Sequence, residues 1–157
     1  MFPPLDGPVH DYMHSSPSCF ASFGTILAAE YSSAALRPTH RLSVDTWAVQ
    51  HAGSVSDRRA VQSVGLHLAR LYLQLSAPRS PTETNAVMLD FSRHKRTLEP
   101  LEAPQWFSVT AAEVAPFAGT NKHQEKVRAW ALATWEDWHT HHDYIRSWLR
   151  EHGTLQG

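Results

Sequence analysis

Residues 40–51, HRLSVDTWAVQH, carry two histidines, an aspartate, a glutamine and a tryptophan within one short run. Read as a helix, the run places His40, Val44, Trp47 and His51 on one face, because positions three and four apart align. Leu42 and Val49 point the other way, so both faces carry apolar side chains and the segment is expected to lie between other elements. Polar groups inside such a segment must be hydrogen-bonded or used. The stretch therefore predicts a buried polar site, with Asp45 as its carboxylate and Trp47 and Gln50 beside it.

The flanks read as helices too. Ser15 or Ser16 before Pro17 is a helix start, a hydroxyl cap followed by proline in the first turn. The first helix is expected over about 17–31, with Cys19, Phe23 and Ile26 as its apolar stripe. The next position on that stripe is Glu30, where a carboxylate must pair with a cation such as Arg41, reach water at the helix end, or act as a ligand or general base. Cys19 near the helix start is either a small core residue or a thiol favoured by the helix dipole. Arg37-Pro38 breaks the chain, and the second helix starts at His40 or Ser43 and ends before Gly53. A third helix, about 60–75 and capped by Ser54 or Ser56, carries leucines on two sides, which predicts a central position. His67 stands at the margin of its main face.

From 77 to 119 the pattern weakens to an irregular, partly extended insertion. A short helix is expected over about 82–93 with Thr82 or Thr84 as cap, Trp106 to Val109 reads as strand-like, and Thr110 to Glu113 is a capping-box pattern. One long helix is expected over about 120–153, stopped by Gly153, with Val127, Thr134, Trp138 and Ile145 inward and His141 and His142 on the margins of that stripe. Residues 1–16, rich in proline, read as an arm. The expectation is one mainly α domain over 1–157, a bundle of about four main helices.

Composition limits the function. Fifteen acidic and fourteen basic residues nearly cancel, so no net field draws in nucleic acid or anionic lipid. The single cysteine forbids an internal disulfide and a cysteine-pair zinc site. No apolar run approaches the roughly 20 residues of a membrane helix, and no basic patch precedes an apolar segment, so the expected compartment is the cytoplasm. The six tryptophans could line a pocket, a dimer interface or a core, and one route to a homodimer is the aromatic ridge of the last helix. Phosphate-cradling glycine loops, serine nucleophile elbows and HExxH pairs are all missing from the sequence.

Eleven histidines and six tryptophans remain to be explained. If each main helix turns one polar group inward, His51, His67, His141 or His142, with His10 from the arm, could hold a divalent metal, zinc first, whose bound water attacks a small molecule. Asp45 or Glu30 would then serve as general base. A second reading needs no metal: Asp45, Gln50 and His51 as an acid–base group in a pocket lined by Trp47, Trp106, Trp135 and Trp138, with Cys19 as nucleophile if the fold brings it near. A third is a non-catalytic helical binding module whose buried polar residues form a structural network.

Asp6-Gly7-Pro8-Val9-His10, Tyr12-Met13, Ser15-Ser16-Pro17 and Cys19 resemble the opening of a bacterial family known only as a domain of unknown function. The run Val44-Asp45 through Ala48-Val49-Gln50-His51 and the element around His67-Leu68 resemble the same family. Some members carry cysteines ahead of the Asp-Gly-Pro segment, and a proline often follows the Gln-His pair, where Ala52 stands here. The resemblance supports the choice of motifs and implies no reaction. It also raises the arm, through which His10 or His14 would close a site made by His51 and His67.

Overall fold

The computed structural model describes residues 16–77 and 79–153. Seven α-helices and four short 3₁₀ turns follow one another, and the described residues contain no strand. The helices are α1 (Pro17–Ser32), α2 (His40–Gln50), α3 (Arg58–Ser76), α4 (Pro81–Ser92), α5 (Ala111–Val114), α6 (His123–Asp137) and α7 (His142–His152). The 1–16 arm, with His10 and His14, lies outside the described residues except for Ser16.

Local chemistry sets most of the boundaries. Ser16 caps α1 by accepting from the Cys19 N–H, with Pro17 at the first position. α2 has no side-chain cap, because a 3₁₀ turn at Arg37–Thr39 runs directly into His40. α3 is capped by Asp57, whose carboxylate accepts from the Arg59 N–H at 2.9 Å, and not by Ser54 or Ser56, which bond to each other. α4 opens on a capping box between Ser80 and Glu83 with Pro81 behind it, so its cap precedes both threonines expected there. The Thr110–Glu113 box opens α5 as the pattern predicts.

α2 lies at the centre, packed against α1, α3 and α6. Every residue from Asp45 to Val49 is buried, so the sandwiched reading of this run holds. Two apolar clusters meet on it. One gathers α3, α4, α6 and α7 around Leu68, Leu71 and Trp138; the other gathers α1, α5 and α6 around Ile26, Trp47 and Trp130.

The expected single C-terminal helix is two. α6 ends at Asp137, a 3₁₀ turn spans His139–His141, and α7 resumes at His142. A break strips backbone carbonyls of their helical partners, and the histidines of this run supply donors. His139 Nδ1 reaches the Glu136 carbonyl at 3.1 Å, His142 Nε2 reaches that of Trp135 at 2.7 Å, and His141 Nε2 reaches that of Glu102 at 2.8 Å. His142 also stacks on Trp135 with ring centroids 3.9 Å apart. The break lets α7 turn back onto α3, and Trp130, Trp135, Trp138 and Trp148 are all buried within the chain. The aromatic ridge offered for a second copy therefore belongs to the chain's own core.

The insertion is more ordered than its sequence suggests. Gly65 on α3 makes room for Leu98, since a Cβ there would stand 2.8 Å from both Leu98 methyl carbons. Arg58 donates to the carbonyls of Leu98 and Arg96, and Trp148 Nε1 donates to Thr97 Oγ1 at 2.8 Å. The segment 95–98 is thereby fixed over the first turns of α3. Trp106 and Ser108 lie in bends, not strand: Phe107 packs against the core, Trp106 is exposed, and the described residues offer no partner strand.

Candidate functional site

α2 holds its neighbours through polar contacts on every side. Toward α1 and α6 it joins Glu30, which is fully buried. The carboxylate accepts from Ser43 Oγ, from His123 Nε2 at 3.0 Å and from His40 Nδ1 at 3.1 Å. His123, also fully buried, accepts on Nδ1 from the Gly119 N–H at 3.0 Å. Gly119 sits at φ +77°, a conformation that suits glycine. That contact fixes the neutral tautomer, with the proton on Nε2 facing Glu30. Neither Arg41 nor water is the partner the stripe position suggested; two histidines and a serine are. The network is closed, and its ring nitrogens are taken.

Toward α3, α2 presents Asp45, likewise fully buried. Arg70 Nε lies 2.8 Å from both carboxylate oxygens, Gln74 Nε2 lies 2.6 Å from Oδ2, and His67 Nδ1 lies 2.7 Å from Oδ1. His67, Arg70 and Gln74 share one face of α3 because their spacings are three and four. Arg70 Nη2 also approaches His67 Nδ1, at 3.3 Å. The shorter bond to the carboxylate decides the tautomer: Nδ1 carries the hydrogen and, in the neutral ring, Nε2 is a bare acceptor. Among the described residues Nε2 has no hydrogen-bond partner. His67 is 19% exposed and lines a cleft of about 310 Å³ with Arg59, Ser63, Arg70, Met88 and Lys95. A histidine oriented by a buried carboxylate, with its far nitrogen open to a cleft, has the arrangement of a general base.

The C-terminal end of α2 makes a third pair. His51 Nδ1 donates to the Trp47 carbonyl at 2.7 Å, which leaves Nε2 facing Cys19 Sγ at 2.9 Å. The imidazole stacks on Trp47, which stacks in turn on Phe23. Burial pushes the Cys19 thiol up, and a hydrogen bond from the Trp47 side chain draws it partly back. Burial pushes His51 down against the opposing effect of the Trp47 carbonyl. Both shifts favour the uncharged pair, thiol and imidazole.

The sequence-derived candidates thus separate. Asp45 meets His67 and not His51, because Asp45 faces α3 while His51 faces α1. Gln50 is structural, bonding the Val109 carbonyl and Thr134 Oγ1, each at 2.7 Å. Trp47 and Trp138 are buried in the two apolar clusters, and neither lines the cleft before His67. Trp106 stands 71% exposed on the surface, beside a wider cleft of about 610 Å³ with His139 and His141. None of that cleft's titratable groups is fully buried, so nothing fixes them as the dyad is fixed. His51, His67, His141 and His142 do not converge, and among the described residues no three of His, Cys, Asp and Glu gather as a metal site. His10 lies outside the described residues.

His123 and Arg70 were missed in the sequence, and both had a signal. Extending the α6 stripe one turn back from Val127 reaches His123. Stepping three and seven from His67 reaches Arg70 and Gln74.

Residues 6–139 match the Family of unknown function (DUF5946), and the chain belongs to that family. The matched span holds Cys19, Glu30, Asp45, His51, His67, Arg70 and His123, and excludes α7. No curated protein and no solved structure matches the chain. No helix of the described residues is long and apolar enough to cross a membrane.

Proposed function

We propose that this member of the DUF5946 family is an acid–base enzyme that acts on a small molecule in the cleft before His67. His67 Nε2 would take a proton from the substrate, and Asp45 would hold the ring in the productive tautomer and face the imidazolium that forms. Arg70 and Gln74 would position Asp45 without touching the substrate. The observation that carries the reading is the contrast within one ring: Nδ1 is bonded to a fully buried carboxylate, while Nε2 has no partner among the described residues and His67 lines the cleft. This arrangement needs no metal to be oriented.

The test is chemical modification with diethylpyrocarbonate, mapped by peptide mass spectrometry. His67 is expected to react several-fold faster than His139, and to slow when Asp45 is replaced by asparagine. A His67 rate no higher than that of exposed His139 would count against the dyad. Incubating metabolite mixtures with wild type and His67→Gln, read by proton NMR, would then find the substrate as a component that only the wild type consumes.

A second reading is favoured by the 2.9 Å contact between Cys19 Sγ and His51 Nε2. His51 would accept the thiol proton as sulfur attacks an electrophile. Because the chain has one cysteine, labelling with iodoacetamide is unambiguous: sulfur bonds to the methylene carbon, iodide leaves and His51 takes the proton. Near pH 7 the wild type is expected to label at least about tenfold faster than His51→Gln. Equal rates would dismiss this reading and leave the dyad untouched.

A further inference from the structure

The cleft before His67 has a definite charge. Of the described residues that line it, three are cationic, Arg59, Arg70 and Lys95, and none is a carboxylate. Asp45 stands behind it, and Arg70 grips both of its oxygens, so that pair contributes little net charge. Lys95 adds a positive charge at the mouth. This is local, because the chain as a whole carries −1.

Several donors at this place are uncommitted within the described protein. Lys95 Nζ, Arg70 Nη1 and the Ser63 hydroxyl make no hydrogen bond to any described residue, and Gln62 lines the same wall. The wall is also built. Lys95 opens the segment that Arg58 ties down at the Leu98 and Arg96 carbonyls and that Leu98 anchors against Gly65. A surface that is merely solvated has no need of such a brace.

We propose that the cleft binds an oxyanion, the phosphate or carboxylate group of a small-molecule substrate, between Lys95 and the outer edge of Arg70. Ser63 and Gln62 supply neutral hydrogen bonds, and the uncharged part of the substrate lies toward Met88. This deepens the dyad reading and rests on it for the role of His67. At about 310 Å³ the cleft is at the small end of ligand sites, which suits a compact anionic metabolite and not a polymer. The anion is held by charge-assisted bonds on one side, and His67 Nε2 then faces its neighbouring atoms.

The test titrates the full chain with inorganic phosphate at constant ionic strength, with sodium chloride as the matched control and acetate in a parallel arm. Amide NMR is the readout. Phosphate is expected to shift the amides around Gln62, Ser63 and Lys95 in a saturable way. Lys95→Ala is expected to weaken that binding about tenfold, the loss of one charge-assisted contact. Acetate matching phosphate would assign the site to carboxylates, and phosphate alone acting would assign it to phosphate esters; both support the proposal. Shifts no larger than those in chloride, shifts scattered over the surface, or an unchanged affinity in Lys95→Ala would overturn it. Because Lys95→Ala leaves the dyad intact, His67 reactivity toward diethylpyrocarbonate separates the two claims. Fast modification without phosphate binding removes only the oxyanion, and phosphate binding without fast modification removes only the general base.

Discussion

Glu30 and Asp45 are both fully buried carboxylates, and each accepts from an imidazole. Beyond that they differ in everything that matters for chemistry. Glu30 is held by a serine and two imidazoles, with no guanidinium, and its buried histidine, His123, has both ring nitrogens bonded. Asp45 is held by a guanidinium, and its histidine has one nitrogen bonded and one facing a cleft. The first network joins α1, α2 and α6 and ends there. The second joins α2 to α3 and leaves an acceptor over. A buried carboxylate–histidine pair is thus not a site by itself; what distinguishes one is an unsatisfied atom with room in front of it.

The largest test of this contrast is to neutralise each carboxylate without changing its shape. Asp45→Asn leaves Arg70 as a largely buried, uncompensated cation and should cost about 3–5 kcal/mol in urea unfolding. Glu30→Gln leaves no guanidinium behind and should cost about 1–2 kcal/mol. Equal losses would show that the guanidinium does not set the two networks apart. Replacing the histidines asks the same question from the other side. His123→Gln, deep in the core, should cost about 2 kcal/mol, through a lost bond and an imperfect fill. His67→Gln, at the cleft edge, should cost about 1 kcal/mol or less. A His67 variant as unstable as the His123 variant would make the dyad a structural brace.

The smallest effect concerns the third, uncharged pair. His51 is held below its ordinary 6.5 by burial, so just below that pH the unfolded chain binds more protons than the folded one. Stability therefore falls as the pH drops from 6.5 through the folded value. Cys19 is held above its ordinary 9.0 by burial, so above that pH the unfolded chain has lost a proton that the folded one keeps. Stability falls again as the pH rises toward the folded value. Between the two limbs the contribution is flat. Urea midpoints from pH 5 to 10 should show the alkaline limb reduced in Cys19→Ser and the acid limb reduced in His51→Gln. Unchanged limbs would assign the pH dependence to other groups.

Much of the arrangement is legible along the chain. The spacing in 40–51 places Asp45 in a sandwiched helix, the double leucine pattern makes α3 central, and Glu30 on an apolar stripe announces a buried carboxylate. The identity of its partners is not legible, because His40, Ser43 and His123 come from two other helices and His123 is far away in sequence. The WHTHH run shows the opposite error. Its histidines look like ligands by type, but they stand where a helix breaks; His139 and His142 bond the carbonyls of Glu136 and Trp135 at the break, and His141 bonds that of Glu102 in the insertion.

The sequence by itself determined that the chain is helical, where most helices begin, and that α2 carries polar groups into an apolar interior. Those are local matters of propensity, capping and periodicity, which neighbouring residues decide among themselves. Only the tertiary structure decided which histidine meets which acid: Asp45 with His67, Glu30 with His123, Cys19 with His51. Pairing depends on how three helices rotate about α2, and that rotation is set by packing the large apolar side chains densely on every side. The polar partners follow where the packing carries them, and the same packing leaves His67 Nε2 without a hydrogen-bond partner among the described residues.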